Sequence, residues 1–543
     1  MTPPTPAPRR EETSEAVKET LESLFIAFIL AFVFRSFVVE AFIIPTGSMA
    51  PTLLGRHLRH TCPQCGYSIT VAPHESHLSR GRTQAGVEVV CPMCHYADEL
   101  PAGVPASAGD RILVHKFIYE FTQPRRWDVV VFKNPQKPAE NYIKRLVGLP
   151  GEELFIIEGN VYTRPQRELP GGAAEPTGPW RIARKTDTQA NPHAFHVQHA
   201  VWRPVYSSRW VPLDGGRREG RAWRVPWTPS AGDWEIEGRR SYRIKGDAPG
   251  ELAFDFAAAR PPTATPWSAY NQLERDPFRE PIEDLRVCVT VVPERQPSDD
   301  RRGLTLQTNA RMDDDPDAAP VPIAARLAPD GRVELSRMQA GAWRELASGR
   351  VAALRAGEPR RVELWFVDQH ALVWVDGEVV AEHRFELSLR TLLKRALPSD
   401  TLYPRVRVAL DLGPATVGEA AVDRDIYYTP SPQSMARPGL GTLAKSVGER
   451  DTGFGEPIRI APDQFFCLGD NSSMSSDSRA WSSIDDAVVE RYSPSPDRPL
   501  PPGVVPRGLM MGRAFFVYFP TPLGLNRTAP SVLPNFGDMR RIH

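Results

Sequence analysis

Ser48 is the first residue along the chain whose surroundings could support nucleophilic chemistry. It lies in PTGSMAPTLLG at 45–55, a few residues after a strongly apolar segment. A serine hydroxyl is a weak nucleophile until a neighbouring base takes its proton. A Gly-Ser-Met sequence taken alone is more often an ordinary loop, so a base elsewhere in the chain is needed before Ser48 can be considered a nucleophile.

Lys144 is the candidate base, within NYIKRLVGLPGE at 141–152. If this segment is a strand, Tyr142, Lys144 and Leu146 share one face because side chains alternate. Burial among such neighbours lowers a lysine pKa toward neutrality, as a lysine base requires. Arg145 cannot serve because its guanidinium stays protonated. The alternative is an edge-strand lysine whose amine reaches water.

A third motif, FFCLGDNSSMSSDSRAW at 465–481, is dense in Asp, Asn and Ser after an apolar strand and could by itself be an ordinary turn. The three motifs, in this order behind an N-terminal apolar segment, resemble the bacterial type I signal peptidases, the serine–lysine family of membrane-bound leader peptidases. The resemblance covers roughly 21–56, 108–165 and 462–521, and GDRILVHKF and GRAFFVYFP match intervening and final strands of that family.

The resemblance implies roles for individual residues. Ser48 matches the nucleophile and Lys144 its general base, while Thr46 stands where the family usually has the serine whose hydroxyl contributes to the oxyanion hole. The supporting residues implied are Ser475, which orients the lysine, the ion pair of Asp477 with Arg479, and Asp470 as the first aspartate of the motif. The chain departs from the family at 472–474, where Ser-Ser-Met replaces the frequent Arg-Asp-Asn.

The function implied is that of a membrane-bound serine endopeptidase. It would cleave N-terminal signal peptides from secreted preproteins through an acyl-enzyme, with no cofactor in catalysis. The implied location is the cytoplasmic (inner) membrane, single-pass, with the catalytic domain extracytoplasmic. Secretory preproteins and the lipid bilayer are the implied partners, together with the secretion machinery. Lys+Arg and Asp+Glu are equal at 66 each, so no global charge favours nucleic acid as a partner.

Four cysteines form two C-x-x-C hooks. Cys62 and Cys65 belong to CPQC, and Cys91 and Cys94 belong to CPMC. Two hooks at this spacing predict a zinc ribbon in which four thiolates surround a structural zinc ion. Disulfides are the alternative, because an extracytoplasmic compartment permits them. A site with four thiolates leaves no open coordination position, so the predicted role is structural.

The apolar segment LFIAFILAFVF, which begins after a short polar stretch, predicts a transmembrane anchor over 19–41. A cleaved signal peptide is the competing interpretation, but Glu40 and Phe42 stand where its small-residue cleavage site would be expected. The preceding residues 1–18 are rich in proline, threonine and charge and predict a disordered cytoplasmic tail.

The predicted fold class is mainly β, with short Val- and Ile-rich runs bounded by turn residues and 55 prolines that disfavour helix. A long tract at about 166–455, here called the central tract, has short apolar runs separated by turn residues, with Asp376-Gly377 as a hairpin signal. This pattern resembles the concanavalin-like and laminin-G-like sandwiches. After the anchor, the catalytic domain is predicted in three segments, 42–56, 105–165 and 456–543. A zinc ribbon (57–104) separates the first two, and a linker or extension (166–229), a sandwich (230–430) and a linker (431–455) precede the third.

Two other functions compete with the peptidase hypothesis. A non-catalytic envelope adaptor would display the ribbon and the sandwich as binding modules on a degenerate scaffold, although the retained Ser48 and Lys144 argue against degeneration. A self-cleaving serine–lysine repressor would need a DNA-binding domain and a soluble chain, and neither is visible in the sequence.

Overall fold

The protein is mainly β, with short helices apart from the one at the N-terminus. The structure, a computed structural model, describes residues 11–37, 39–93, 96–169, 174–205, 226–237, 241–254, 256, 264–266, 268–273, 281–388, 391–392, 405–428, 457–493, 495, 499–520, 523–524, 531–533 and 535–543. Within these ranges the α-helices are Glu11–Phe37, Ile118–Phe121, Ala194–Val201 and Asp486–Tyr492. Short 3-10 turns are Gly47–Met49, Glu75–His77, Ala269–Asn271, Ser472–Met474, Arg507–Leu509 and Phe536–Asp538.

An eight-stranded antiparallel sheet, here called the central sheet, joins segments far apart in sequence. Its strands in spatial order are Val39–Ile43, Arg111–Lys116, Met510–Phe519, Val129–Asn134, Lys137–Gly148, Gln464–Leu468 and Val505–Pro506, and Arg540–Arg541 pairs with Met510–Phe519. Apolar side chains fill both faces: one buried cluster includes Phe132, Leu146 and Trp481, and another includes Met49, Ile112 and Val131. The Val- and Ile-rich runs therefore form strands as predicted.

A smaller sheet lies next in the chain. Its strands in spatial order are Ala174–Pro176, Asn160–Glu168, Glu152–Ile157 and Ile458–Ile460, and Arg181–Ile182 pairs with Asn160–Glu168. The helix Ala194–Val201 packs on it, since Val197 and Val201 share a buried cluster with Leu154 and Phe466. The range 166–229, predicted as a linker or extension, thus carries a packed helix, because its apolar side chains at helical spacing bury against the sheet.

Two larger antiparallel sheets form a sandwich. One contains Trp234–Glu237, Ser241–Ile244, Ala415–Arg424, Leu285–Pro293, Arg360–Val367, His370–Val375 and Glu378–Arg384, with Arg203–Pro204 paired to Ala415–Arg424. The other contains Trp227–Ala231, Gly250–Phe254, Arg407–Asp411, Gly303–Ala310, Val321–Leu327, Arg332–Gln339 and Ala342–Arg350. Both contribute to one buried apolar cluster, with Val287 and Leu364 from the first and Leu306 and Leu335 from the second. The predicted linker 431–455 lies outside the described residues.

The range predicted as a ribbon folds into small hairpins. They pair Leu58–Thr61 with Ser68–Val71, Leu78–Ser79 with Arg82–Thr83, and Val87–Val90 with Ala97–Leu100, and elsewhere Leu523–Gly524 pairs with Ser531–Leu533. His57 and Ser107 exchange backbone hydrogen bonds of 3.1 and 2.7 Å. The two ends of the ribbon range therefore meet, so its insertion does not interrupt the pairing of Val39–Ile43 with Arg111–Lys116 in the central sheet.

The N-terminal helix has different limits from those predicted. It begins at Glu11, inside the predicted disordered tail 1–18, because Glu, Ala and Lys favour helix and extend one that is already formed. It ends at Phe37, and Val39–Ile43 joins the central sheet although the anchor was predicted to run to residue 41. Residues 1–10 of the predicted tail lie outside the described residues. Among the helices that the structure describes, none is both long and apolar enough to cross a membrane.

Candidate functional site

Ser48 lies in the 3-10 turn Gly47–Met49, which follows Thr46 in extended conformation. The turn is held in the apolar cluster of the central sheet by Met49, which is fully buried. The Ser48 side chain is buried at 9% exposure, whereas Thr46 is exposed. The turn therefore presents one hydroxyl to the interior and one beside it to the surface.

Lys144 approaches Ser48 from the strand Lys137–Gly148. Its Nζ donates a hydrogen bond of 2.8 Å to Ser48 Oγ, and it lies 5.0 Å from the centre of the Tyr142 ring. The side chain is 4% exposed, as expected for the strand face that it shares with Tyr142. Burial lowers the pKa of Lys144 from 10.5 to about 8, even though the Asp477 carboxylate favours the charged form. The structure thus brings a serine and a lysine with lowered pKa into direct contact from positions 96 residues apart.

Asp477 and Arg479 form a buried pair beside this contact. Arg479 donates to both carboxylate oxygens, at 2.9 and 2.7 Å, and also to Ser472 Oγ at 2.7 Å. Burial acts to raise the pKa of Asp477, but the Arg479 charge and hydrogen bonds, together with the Gly469 N–H, hold that pKa below its usual value. Ser475, predicted to orient the lysine, is also buried, but its hydroxyl makes no hydrogen bond within the described residues.

A second buried pair joins Arg145 to Asp470. Arg145 donates from Nε and Nη2 to the two carboxylate oxygens, each at 2.7 Å, and both side chains are fully buried. Thr52 Oγ1 donates to the same carboxylate at 2.6 Å. Asp470 was predicted only as a motif residue, and its partner Arg145 was not predicted. Strand alternation could have found it, because an arginine on a buried strand face needs a carboxylate.

Asn471 contacts the serine turn directly. Its backbone N–H donates to the Ser48 carbonyl oxygen at 3.0 Å, and its Nδ2 donates to the Gly47 carbonyl oxygen at 3.0 Å. Gly469 lies underneath, in close contact with the Ser48 carbonyl and the Ser475 side chain. The motif loop therefore fixes the backbone of the turn as well as supplying side chains.

Three of the four predicted metal ligands converge. The sulfur atoms of Cys62, Cys65 and Cys91 lie within 4.8 Å of one another, and Cys65 Sγ stands 3.5 Å from Cys91 Sγ. A disulfide would require about 2.05 Å, whereas thiolates at about 2.3 Å from a zinc ion stand roughly 3.8 Å apart. The donor set fits zinc. Cys94 lies outside the described residues.

The family model that matches this chain covers the second motif and the strands around it. Residues 105–186 match the sequence model of the family described as "Signal peptidase, peptidase S26". Similar proteins named "Signal peptidase I" occur in Buchnera aphidicola (29% identity over 153 residues, 26% of this chain and 32% of the relative), Pseudomonas fluorescens (31% over 131 residues, 24% and 32%) and Leptolyngbya laminosa (27% over 169 residues, 30% and 57%). The chain thus spans from about a third to just over half of these relatives' length.

Solved structures give only weak likenesses. A carbohydrate binding module from Bacillus subtilis is similar over 36% of this chain and 95% of its own, with 11% identity and a TM-score of 0.22. The carbohydrate recognition domain of Emp46p covers 36% and 87%, with 9% identity and a TM-score of 0.24. These scores are too low to assign a shared fold.

The fold and the site define a class, a mainly β protein with a buried serine–lysine pair. Within this class, the resemblance of the chain to the bacterial type I signal peptidases is confirmed.

Gly469→Ala is expected to loosen the Ser48 turn. The added Cβ would lie 2.1 Å from Ser475 Oγ and 2.5 Å from the Ser48 carbonyl oxygen, so the loop must move and lose the Asn471 hydrogen bond. Overpacking typically costs about 1–3 kcal/mol, so local amide exchange around 470–475 should quicken by about tenfold or more in hydrogen-exchange mass spectrometry. Gly537→Ala, where a Cβ meets no atom within 4 Å, is the matched control. Unchanged exchange in Gly469→Ala would contradict this close packing.

Proposed function

We propose that this protein is a membrane-anchored signal peptidase in which Ser48 is the nucleophile and Lys144 its general base. The observation that carries the proposal is the 2.8 Å hydrogen bond between Lys144 Nζ and Ser48 Oγ, buried and accompanied by a lowered lysine pKa. An ordinary structural lysine keeps its amine in water or against a carboxylate. Here the closest polar group is a hydroxyl, which a neutral amine can deprotonate.

In the proposed reaction, neutral Lys144 takes the Ser48 proton while Oγ attacks the carbonyl carbon of the last signal-peptide residue. The resulting lysine ammonium gives a proton to the departing amine, which leaves an acyl-enzyme. A water molecule, deprotonated by Lys144, then attacks the ester and releases the signal peptide. At pH 7, a pKa of about 8 leaves roughly a tenth of the lysine neutral, which is enough for general-base catalysis.

The oxyanion would be stabilised by the Ser48 backbone N–H and the Thr46 hydroxyl. The Thr46 hydroxyl is supported as a donor by its position, because Thr46 is exposed and extended and lies just before the 3-10 turn that carries Ser48. Each such donor contributes on the order of 10²–10³ in rate. The substrate would lie as an added strand beside the segments that carry Thr46 and Lys144, with small pockets for the residues one and three before the cut. Ser475, with its buried hydroxyl, is proposed to orient the lysine.

The helix Glu11–Phe37 is proposed as a single-pass anchor in the cytoplasmic membrane, with the site on the extracytoplasmic side. Support comes from the apolar sequence and from large apolar side chains left exposed on the helix, among them Leu24, Phe25 and Phe28 at 65–69% exposure. Secretory preproteins and the bilayer would then be the partners, with the secretion machinery delivering the substrate.

A structural zinc ion is proposed for the four-cysteine site, held by Cys62, Cys65, Cys91 and Cys94. When bound, zinc would cross-link the two hooks, and with four thiolates it would offer no position to substrate. For the sandwich we propose a concanavalin-like fold.

The proposal is tested by cleavage of a model preprotein with alanine one and three residues before the cut, using the detergent-solubilised full chain. Ser48→Ala and Lys144→Ala should each lose at least about 10³-fold in kcat, because each removes a member of one catalytic unit. Ser76→Ala and Lys245→Ala, which alter exposed side chains elsewhere, should retain full activity. A folded parent that does not cut the preprotein would favour the adaptor function instead.

The pH dependence follows from the lysine. Only the neutral amine acts as a base, so kcat/KM should rise about tenfold per pH unit in acid and level off above an apparent pKa of about 8. Lys144→Arg should be inactive at every pH, because an arginine stays protonated. A midpoint of the kcat/KM profile near pH ~6.5, the usual pKa of histidine, would instead indicate a histidine base and contradict the role of Lys144.

The metal proposal predicts about one zinc per chain by elemental analysis of the purified protein. Cys62→Ser and Cys91→Ser should lose the zinc and lower the thermal midpoint, because the hooks are no longer cross-linked. Cys288→Ser, a buried thiol in the sandwich, is the control and should keep the metal. Metal-free protein whose thiols react only after reduction would establish the disulfide alternative.

A further inference from the structure

A short segment of the central tract is built into the Ser48 site. It comprises Ser268–Leu273 and contains the 3-10 turn Ala269–Asn271. Tyr270 and Asn271 are 3% and 1% exposed. Neither residue belongs to the three motifs that resemble the signal peptidases, and Asn271 precedes its main contact, Asn471, by 200 residues.

Asn271 and Asn471 form a reciprocal amide pair. Asn271 Nδ2 donates to Asn471 Oδ1 at 2.7 Å, and Asn471 Nδ2 donates to Asn271 Oδ1 at 2.9 Å. A primary amide has two N–H bonds, so Asn471 keeps one for the Gly47 carbonyl oxygen, which it contacts at 3.0 Å. The pair therefore fixes the rotation of the Asn471 amide, and with it the donor that reaches the serine turn.

The Gly47 carbonyl belongs to the same peptide unit as the Ser48 N–H. A trans peptide is planar, and its C=O and N–H point in opposite directions. A hydrogen bond that fixes the Gly47 oxygen therefore also fixes the direction of the Ser48 N–H. That N–H is the backbone donor proposed for the oxyanion, where a donor must be correctly aimed before the charge develops.

Tyr270 closes the other side of the turn. Its ring lies so near Gly47 that a Cβ at residue 47 would stand 2.5 Å from Cε1, and its hydroxyl donates to the Arg56 carbonyl oxygen at 3.3 Å. The segment is held from behind by the ribbon hairpins. The Ala72 N–H donates to the Tyr270 carbonyl oxygen at 2.7 Å, and the Val90 N–H donates to Gln272 Oε1 at 2.7 Å.

We propose that Asn271 is a positioning residue of the serine–lysine site, acting through Asn471 to aim the Ser48 N–H at the oxyanion. The central tract is then a working component of the site rather than a detachable module. This inference rests on the proposed peptidase function and goes beyond it, because it gives the tract a role in the reaction. Asn271 touches neither substrate nor the reacting atoms.

The first test compares the full-length parent with Asn271→Ala in cleavage of the model preprotein. The variant should lose about 10–100-fold in kcat with KM within about twofold. The direction of the Ser48 N–H affects the transition state and not substrate binding, and a small misplacement of a catalytic group lowers the rate by about this factor. The apparent pKa of the pH–rate profile should not move, since Lys144 is untouched. Loss of folded protein would also lower the apparent kcat at constant KM, so kcat is calculated per active site, counted by covalent labelling of the nucleophilic serine with an acylating inhibitor.

Two further variants keep the test decisive if Asn271→Ala folds poorly. Asn271→Asp, of almost the same shape, retains an acceptor for Asn471 Nδ2 but sets a carboxylate oxygen against Asn471 Oδ1, so it should lose kcat as Asn271→Ala does without leaving a cavity. Adding Asn271→Ala to Asn471→Ala should cost nothing more if the effect passes through Asn471. Ser230→Ala, which removes an exposed hydrogen bond of the same tract, is the control and should match the parent.

The outcomes separate the two proposals. An inactive, folded parent would overturn the peptidase function and this inference with it. An active parent with equally active Asn271→Ala would overturn this inference alone, as would a variant whose loss is entirely in KM or whose effect adds fully to that of Asn471→Ala.

Discussion

The burial of one lysine amine against one serine hydroxyl is the constraint on which the rest of the site depends. An ammonium in an apolar interior is costly, and Lys144 stays there at the price of a lowered pKa. Nearby carboxylates would raise the Lys144 pKa again if their negative charge were not neutralised. Asp477 and Asp470 are instead each neutralised by an arginine with two hydrogen bonds, which keeps the surroundings of the lysine close to electrically neutral.

Strand order explains how distant residues meet at this pair. The strand Lys137–Gly148 lies between Val129–Asn134 and Gln464–Leu468, so the lysine strand and the motif loop that follows residue 468 are neighbours in one sheet. The ribbon range and the central tract are each inserted at a point where the two ends of the insertion lie side by side. His57 pairs with Ser107, and Ile458–Ile460 pairs with Glu152–Ile157 across the long central tract. Such closure lets a scaffold accept large additions at little cost to its own pairing.

Much of the strand content could be predicted from the sequence, because alternation and turn residues are local signals. The pairing of Ser48 with Lys144 followed from the resemblance to the signal peptidases, and the other contacts between distant segments could not be predicted. The Asn271–Asn471 pair depends on side-chain geometry across 200 residues and has no periodicity. Arg145 was considered only as a base, although its buried strand position called for a partner such as Asp470. The helix start at Glu11 was missed because a lack of apolar residues was taken as a sign of disorder, while helix propensity there is high.

A positioning role for the central tract requires that the tract itself be held firmly. Lys185 provides such a connection: its Nζ lies 2.6 Å from Asp368 and 2.8 Å from Asp425, both in the sandwich, and 5.4 Å from the Trp127 ring next to the central sheet. The two carboxylates raise the lysine pKa despite burial, so the cation persists and fills the space among these acids. Breaking a buried pair of this kind typically costs about 3–5 kcal/mol. These ion pairs stiffen the tract internally, and the ribbon braces it at Tyr270 beside the Ser48 turn, where catalytic geometry tolerates displacements of only about 0.5 Å.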